Sequence, residues 1–103
     1  MSDQPPLPNL IIAGVVKAGT TSAFMYLARH PEVCPSAVKE VQYFSAYRYG
    51  KPVAPLEDYR NQFASYRGQR YIMEATPGYF EGGSKVADAI SDTLGTDTRI
   101  LLI

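Results

Sequence analysis

The chain has no tryptophan, one cysteine, one histidine and no excess charge of either sign. Each shortage removes a class of explanation. With Cys34 alone there is no internal disulfide and no cysteine-built metal cluster, which is compatible with a reducing compartment. His30 lies four residues before Cys34, but no further cysteine or histidine exists to complete a metal site around the two. Ten Lys and Arg balance ten Asp and Glu, so a general nucleic-acid surface, which needs a basic excess, is not expected. The longest apolar run, residues 10–16, is far too short for a membrane span. Residues 1–8 are polar and proline-rich, without the basic flank and apolar stretch of a signal peptide. With Met1 as the native start, a soluble, cytoplasmic protein is expected.

What is present has the order of an α/β domain. Prolines 5, 6 and 8 make residues 1–8 a flexible lead-in. Leu10, Ile11, Ile12 and Ala13 form a continuous apolar run of the kind buried on both faces of a parallel sheet. From Thr20 the period becomes helical, with Ala23, Phe24, Leu27 and Ala28 on one face, until Pro31. Residues 31–55 hold four prolines and read as loop, with a short ordered turn at 41–45. A short helix is expected over 56–63, with Leu56, Tyr59 and Phe63 on one side. A second strand is expected at Tyr71, Ile72 and Met73, ended by a turn at Thr76-Pro77-Gly78. Ser84 is placed to cap a helix through Leu94 whose buried stripe is Val86, Ala87, Ile90 and Leu94, with Gly95 as its stop. Residues 99–103 repeat the buried-strand pattern. Alternating strands and helices predict βαβ units in a three-layer α/β sheet. Most of the eight tyrosines are expected at core and rim positions.

The turn after the first strand carries the chemistry. In Gly14-Val-Val-Lys17-Ala18-Gly19-Thr20-Thr21-Ser22, turn N–H groups and the positive end of the following helix point at the same place. Glycine permits close approach to an anion, the three hydroxyls add donors, and Lys17 adds a full charge. Gly14 and Gly19 have the spacing of a Walker A loop, but Thr20 occupies the position of its lysine. A lysine two residues before the second glycine suits a ligand with one 5′-phosphate and a transferable group better than a triphosphate.

This loop resembles the 5′-phosphosulfate loop of sulfotransferases that use 3′-phosphoadenosine 5′-phosphosulfate (PAPS). The resemblance is to the heparan-sulfate branch (N-deacetylase/N-sulfotransferase and 3-O-sulfotransferase) and its bacterial relatives. Three further segments agree in type and order: His30-Pro31-Glu32-Val33, Lys39-Glu40-Val41-Gln42-Tyr43-Phe44 and Glu74-Ala75-Thr76-Pro77-Gly78-Tyr79-Phe80. The resemblance implies a P-loop-like parallel sheet flanked by helices, and sulfuryl transfer from PAPS to a hydroxyl or amine on a carbohydrate, lipid or small molecule. No metal, nucleic acid or membrane span enters that picture.

Residue by residue, the resemblance makes Lys17 a catalytic cation beside the departing 5′-phosphate and Glu40 the general base. Lys17, Ala18, Gly19, Thr20, Thr21 and Ser22 would bind the donor, while Glu74, Thr76 and Tyr79 would line the acceptor pocket. Read without the resemblance, Glu40 is a solvated partner of Lys39, and Thr76-Pro77-Gly78 is only a strand exit. The heparan-sulfate enzymes carry lysine where this chain has Ala75, which favours a divergent bacterial-type enzyme. The family's arginine and serine for the 3′-phosphate follow the strand matched by 99–103. Residues 9–103 are therefore expected to be the N-terminal part of a larger domain, holding half of a donor site and inactive alone. The rival readings are a P-loop kinase or nucleotide hydrolase, which the displaced lysine and the lack of an aspartate-ended strand oppose, and a non-catalytic phosphate-binding module.

Overall fold

The computed structural model describes residues 4–14 and 19–103. Its centre is a four-stranded sheet in the order β2-β3-β1-β4, with every pairing parallel. The strands are β1 (Leu10–Gly14), β2 (Val33–Pro35), β3 (Tyr71–Ala75) and β4 (Arg99–Leu102). Helix α1 (Thr20–Ala28) follows β1, α2 (Ser45–Tyr49) and α3 (Leu56–Asn61) lie between β2 and β3, and α4 (Gly83–Leu94) precedes β4. A 3₁₀ segment, Pro77–Gly82, joins β3 to α4. The chain leaves β1 for the far edge at β2, returns to β3, and then crosses to β4 on the other side of β1. Ligands in open α/β sheets bind at the strand C-termini where the winding reverses, and here that point is the end of β1.

Side-chain alternation along the strands builds two cores. Ile11, Ala13 and Ile72 point to one face, where Phe44, Tyr59, Phe63, Tyr79, Val86 and Ile90 pack on them. Ile12, Met73 and Ala75 point to the other, against Phe24 of α1 with Ala23, Leu27 and Ala28 at its margin. Ile11 and Ile12 are fully buried, each contributing about 1.5–3 kcal/mol through burial. The expected three-layer α/β architecture is observed, as is the α1 face. Among the described residues, no helix is long and apolar enough to cross a membrane.

Several local expectations change. The 31–55 loop contains an edge strand, β2, and the one-turn helix α2. A three-residue strand ending in proline is tolerated at an edge, where the missing N–H faces no partner. Ser84 does not cap α4. The 3₁₀ segment runs straight into that helix, whose cap position is Gly82 with no side-chain cap. Ala89 replaces Ala87 in the buried stripe, while Gly95 does end the helix, its N–H donating to the Ser91 carbonyl (2.9 Å). Leu56 is exposed, although Tyr59 and Phe63 are buried as expected. The residues of β4 are exposed, not buried, because β4 pairs only with β1 and stands across an open apolar hollow from α4. Tyr59 and Tyr79 are core residues, Tyr43, Tyr47 and Tyr71 lie half-buried, and Tyr26, Tyr49 and Tyr66 are exposed. Residues 4–8 form no helix or strand, yet Pro8 is buried and Arg60 donates to the Pro5 carbonyl (3.0 Å).

Gly14 ends β1 where Phe80 crosses it, and a Cβ there would stand 2.7 Å from the Phe80 Cβ. Gly14→Ala should therefore destabilise the fold by about 1–3 kcal/mol, the usual overpacking range. Urea unfolding of the variant against the parent checks this.

Candidate active site

The site is assembled at the C-terminal ends of β1, β2 and β3. After β1, Gly19 takes a left-handed conformation (φ 86°) and caps α1, a geometry that glycine adopts without strain. Helix α1 has no side-chain cap. Its first N–H groups have no intrahelical acceptor and lie at the positive end of the helix dipole, where an anion is favoured. Thr20 is buried and Thr21 and Ser22 are exposed. Lys17 and Ala18 lie outside the described residues.

Across from this turn comes the loop after β2. Gly19, Thr20, Thr21 and Ser22 line a cleft of about 350 Å³ together with Lys39, Glu40 and Pro77. The structure thus brings residues 19–22 and Glu40 to one opening, although they are apart in sequence. Glu40 does pair with Lys39 (3.5 Å), and its side chain is 52% exposed. It also borders a second groove, of about 210 Å³, with Gln42, Ser45, Arg48, Tyr49, Thr76, Gly78 and Glu81. Glu40 is common to both openings. Lys39 is a cation at the cleft that the sequence reading treated only as Glu40's partner.

The loop bearing Glu40 is held in an uncommon shape. Glu40 and Gln42 both have φ of 60°, a region that costs non-glycine residues about 1–2 kcal/mol each. Three hydrogen bonds from the loop backbone hold it there. The N–H of Glu40 donates to the Ala75 carbonyl (2.8 Å), that of Gln42 to Thr76 Oγ1 (3.1 Å), and that of Phe44 to the Tyr79 hydroxyl (3.2 Å). Aromatic packing adds to this hold, for the Tyr43 ring stacks on Tyr59 at 4.3 Å.

Beneath the loop lies Glu74, which is 0% exposed. Thr76 Oγ1 donates to its Oε1 (2.7 Å), the Tyr79 hydroxyl donates to the same oxygen, and the Tyr59 hydroxyl donates to Oε2. Burial pushes the Glu74 carboxyl above its usual range, while the three hydroxyl bonds pull it the other way. Burial, and then the neighbouring Glu74 charge, push both tyrosine hydroxyls up. Of the three residues assigned to the acceptor pocket, Thr76 borders the second groove, whereas Glu74 and Tyr79 lie in the interior. Tyr59 was missed as a member of this cluster, since in sequence it is only one position of a helical apolar stripe. No group of acidic, histidine or cysteine side chains among the described residues could hold a metal.

A parallel sheet with helix α1 after its first strand, and a carboxylate from the loop after β2 on the same cleft as the start of that helix, has the layout of the P-loop-like class of α/β folds. Comparison with known proteins narrows this class. The chain is 35% identical over 97 residues to the membrane-associated sulfotransferase kil1 of Dictyostelium discoideum, covering 94% of this chain and 20% of that protein. It is 33% identical to heparan sulfate glucosamine 3-O-sulfotransferase 3B1 of Mus musculus, covering 94% of this chain and 23% of the relative. A sulfotransferase from Alicyclobacillus acidocaldarius superposes with a TM-score of 0.79 at 25% identity, over 94% of this chain and 44% of that one. No family model matches the chain. Over 94% of its length the chain is similar in sequence and in fold to sulfotransferases, and it spans less than half the length of each of these relatives.

Proposed function

We propose that the protein carrying this chain transfers a sulfuryl group from PAPS to a hydroxyl or amine acceptor, and that this segment holds the 5′-phosphosulfate side of the site. The observation that carries the reading is the single cleft shared by residues 19–22 and Glu40. An anion turn alone would suit any phosphate ligand; a carboxylate facing it adds a proton acceptor. The donor set fits a phosphosulfate, with N–H groups and hydroxyls for the 5′-phosphate oxygens.

In the proposed reaction the acceptor enters from the groove on the far side of Glu40 and attacks sulfur in line. A new O–S or N–S bond forms as the bond from sulfur to the 5′-phosphate oxygen breaks. The leaving phosphate keeps that electron pair, and the acceptor's proton passes to Glu40. Lys17 stabilises the charge that grows on the leaving oxygen, where a fixed cation acts most strongly on the transition state. Gly19, Thr20, Thr21 and Ser22, with Lys17 and Ala18, bind the donor. Some of the relatives are heparan sulfate sulfotransferases, and a carbohydrate is one member of the proposed acceptor class.

The test uses the complete gene product, radiolabelled PAPS and a panel of carbohydrate, lipid and small-molecule acceptors. Label should move to an acceptor, and Lys17→Ala should slow that transfer by about 10²–10³-fold. ATP hydrolysis without PAPS binding would overturn the reading in favour of a nucleotide hydrolase.

A further inference from the structure

We infer that Glu74, with Thr76, Tyr79 and Tyr59, forms a buried positioning device that sets the backbone of the Glu40 loop. Glu74, Tyr79 and Tyr59 are buried, and Thr76, which also borders the acceptor groove, acts with them through the loop. The inference rests on the reading of Glu40 as the base.

The direction of each hydrogen bond carries it. Thr76 Oγ1 and the Tyr79 hydroxyl oxygen each accept a loop N–H, so each hydroxyl keeps its own hydrogen for the Glu74 oxygen beside it. Thr76 and Tyr79 both spend their hydrogens on Glu74 Oε1. Their lone pairs are thereby turned outward, and each receives one N–H of the loop, from Gln42 and from Phe44. The Glu74 carboxyl group therefore polarises two parallel relays, one ending within the Glu40–Gln42 kink at Gln42 and the other just beyond it at Phe44. A hydroxyl without that anchor could rotate and present its hydrogen to the loop N–H, which would lose the bond. Tyr59 serves Oε2 from α3, and its ring supports Tyr43 in the same loop. The third loop bond, from Glu40 to the Ala75 carbonyl, needs no side chain.

Such geometry matters because Glu40 stands in a backbone state that the loop would leave if released. A general base that drifts by about 1 Å can lose about 100-fold in rate.

The experiment compares Thr76→Val, Thr76→Ser and Tyr79→Phe with the parent complete gene product, at matched folded fraction by circular dichroism. Steady-state sulfuryl transfer and equilibrium PAPS binding are read separately. Thr76→Val and Tyr79→Phe should each lower kcat by about 10–100-fold with PAPS affinity changed less than about threefold, and Thr76→Ser should recover most of the loss. Unchanged kcat per folded molecule in both Thr76→Val and Tyr79→Phe would overturn the inference and leave the cluster as core. A Glu40→Gln control separates the two levels, because full turnover there would remove the base reading itself. Equal failure of Thr76→Ser and Thr76→Val would also count against the relay, since only one lacks a hydroxyl.

Discussion

Glu40→Gln in the complete gene product should lower turnover by about 10²–10⁴-fold, the range for losing a general base, while PAPS affinity changes little. Glutamine keeps the length and planar end of the side chain but cannot take up the acceptor's proton. The loop should hold its shape, because the three bonds that fix it come from backbone N–H groups and not from the Glu40 carboxylate. The substitution also removes the ion pair with Lys39. The Glu40 end of that pair is half in solvent, and pairs open to solvent contribute about 0–1 kcal/mol, so unfolding should shift little. Single-turnover transfer and calorimetric titration with PAPS distinguish the outcomes. Loss of donor binding in step with turnover would place Glu40 in binding instead of proton transfer.

Glu74→Ala should produce the largest loss of stability among single changes in the site, about 3–5 kcal/mol. Three hydroxyl donors would be left in the interior without their acceptor, and a cavity would open beneath β3. Glu74→Gln should be milder and should reveal the linkage. The folded carboxyl lies above its ordinary value of 4.5, chiefly through burial. A group raised in this way favours the folded state fully below its unfolded pKa, and the advantage is lost as pH rises through the folded pKa. Parent stability should therefore decline relative to Glu74→Gln as pH increases above about 4.5. Urea midpoints across a pH series would show the two curves converging or crossing in that direction. A parent that gained on the variant with rising pH would mean that the hydroxyl bonds outweigh burial.

The order of the elements was readable because the apolar runs at 10–13, 71–73 and 99–103 differ plainly from the helical stripes between them. Strand β2 was hidden by its length and by Pro35, which argues against a strand unless the edge position is known. The loop residues 19–22 and Glu40 were legible as motifs, but their meeting in one cleft depends on the return of β3 between β1 and β2. Composition could not reveal that. The same holds for Glu74, which looked like a pocket residue beside Thr76 and Tyr79. Strand alternation turns Glu74 to the α3 and α4 face, opposite Met73 and Ala75, and only there can Tyr59 reach it. Hydrogen-bond direction, which turns a cluster of hydroxyls into a clamp, leaves no mark in sequence.

The left-handed backbone at Glu40 has an evolutionary consequence. With Glu40 as the proposed base, glycine would relax that position and also delete the carboxylate that the proposal needs. On that proposal, selection for robustness and selection for turnover would pull this codon in opposite directions. Drift in copies freed from catalysis should accumulate glycine or asparagine at positions 40 and 42 before it touches the buried framework below them.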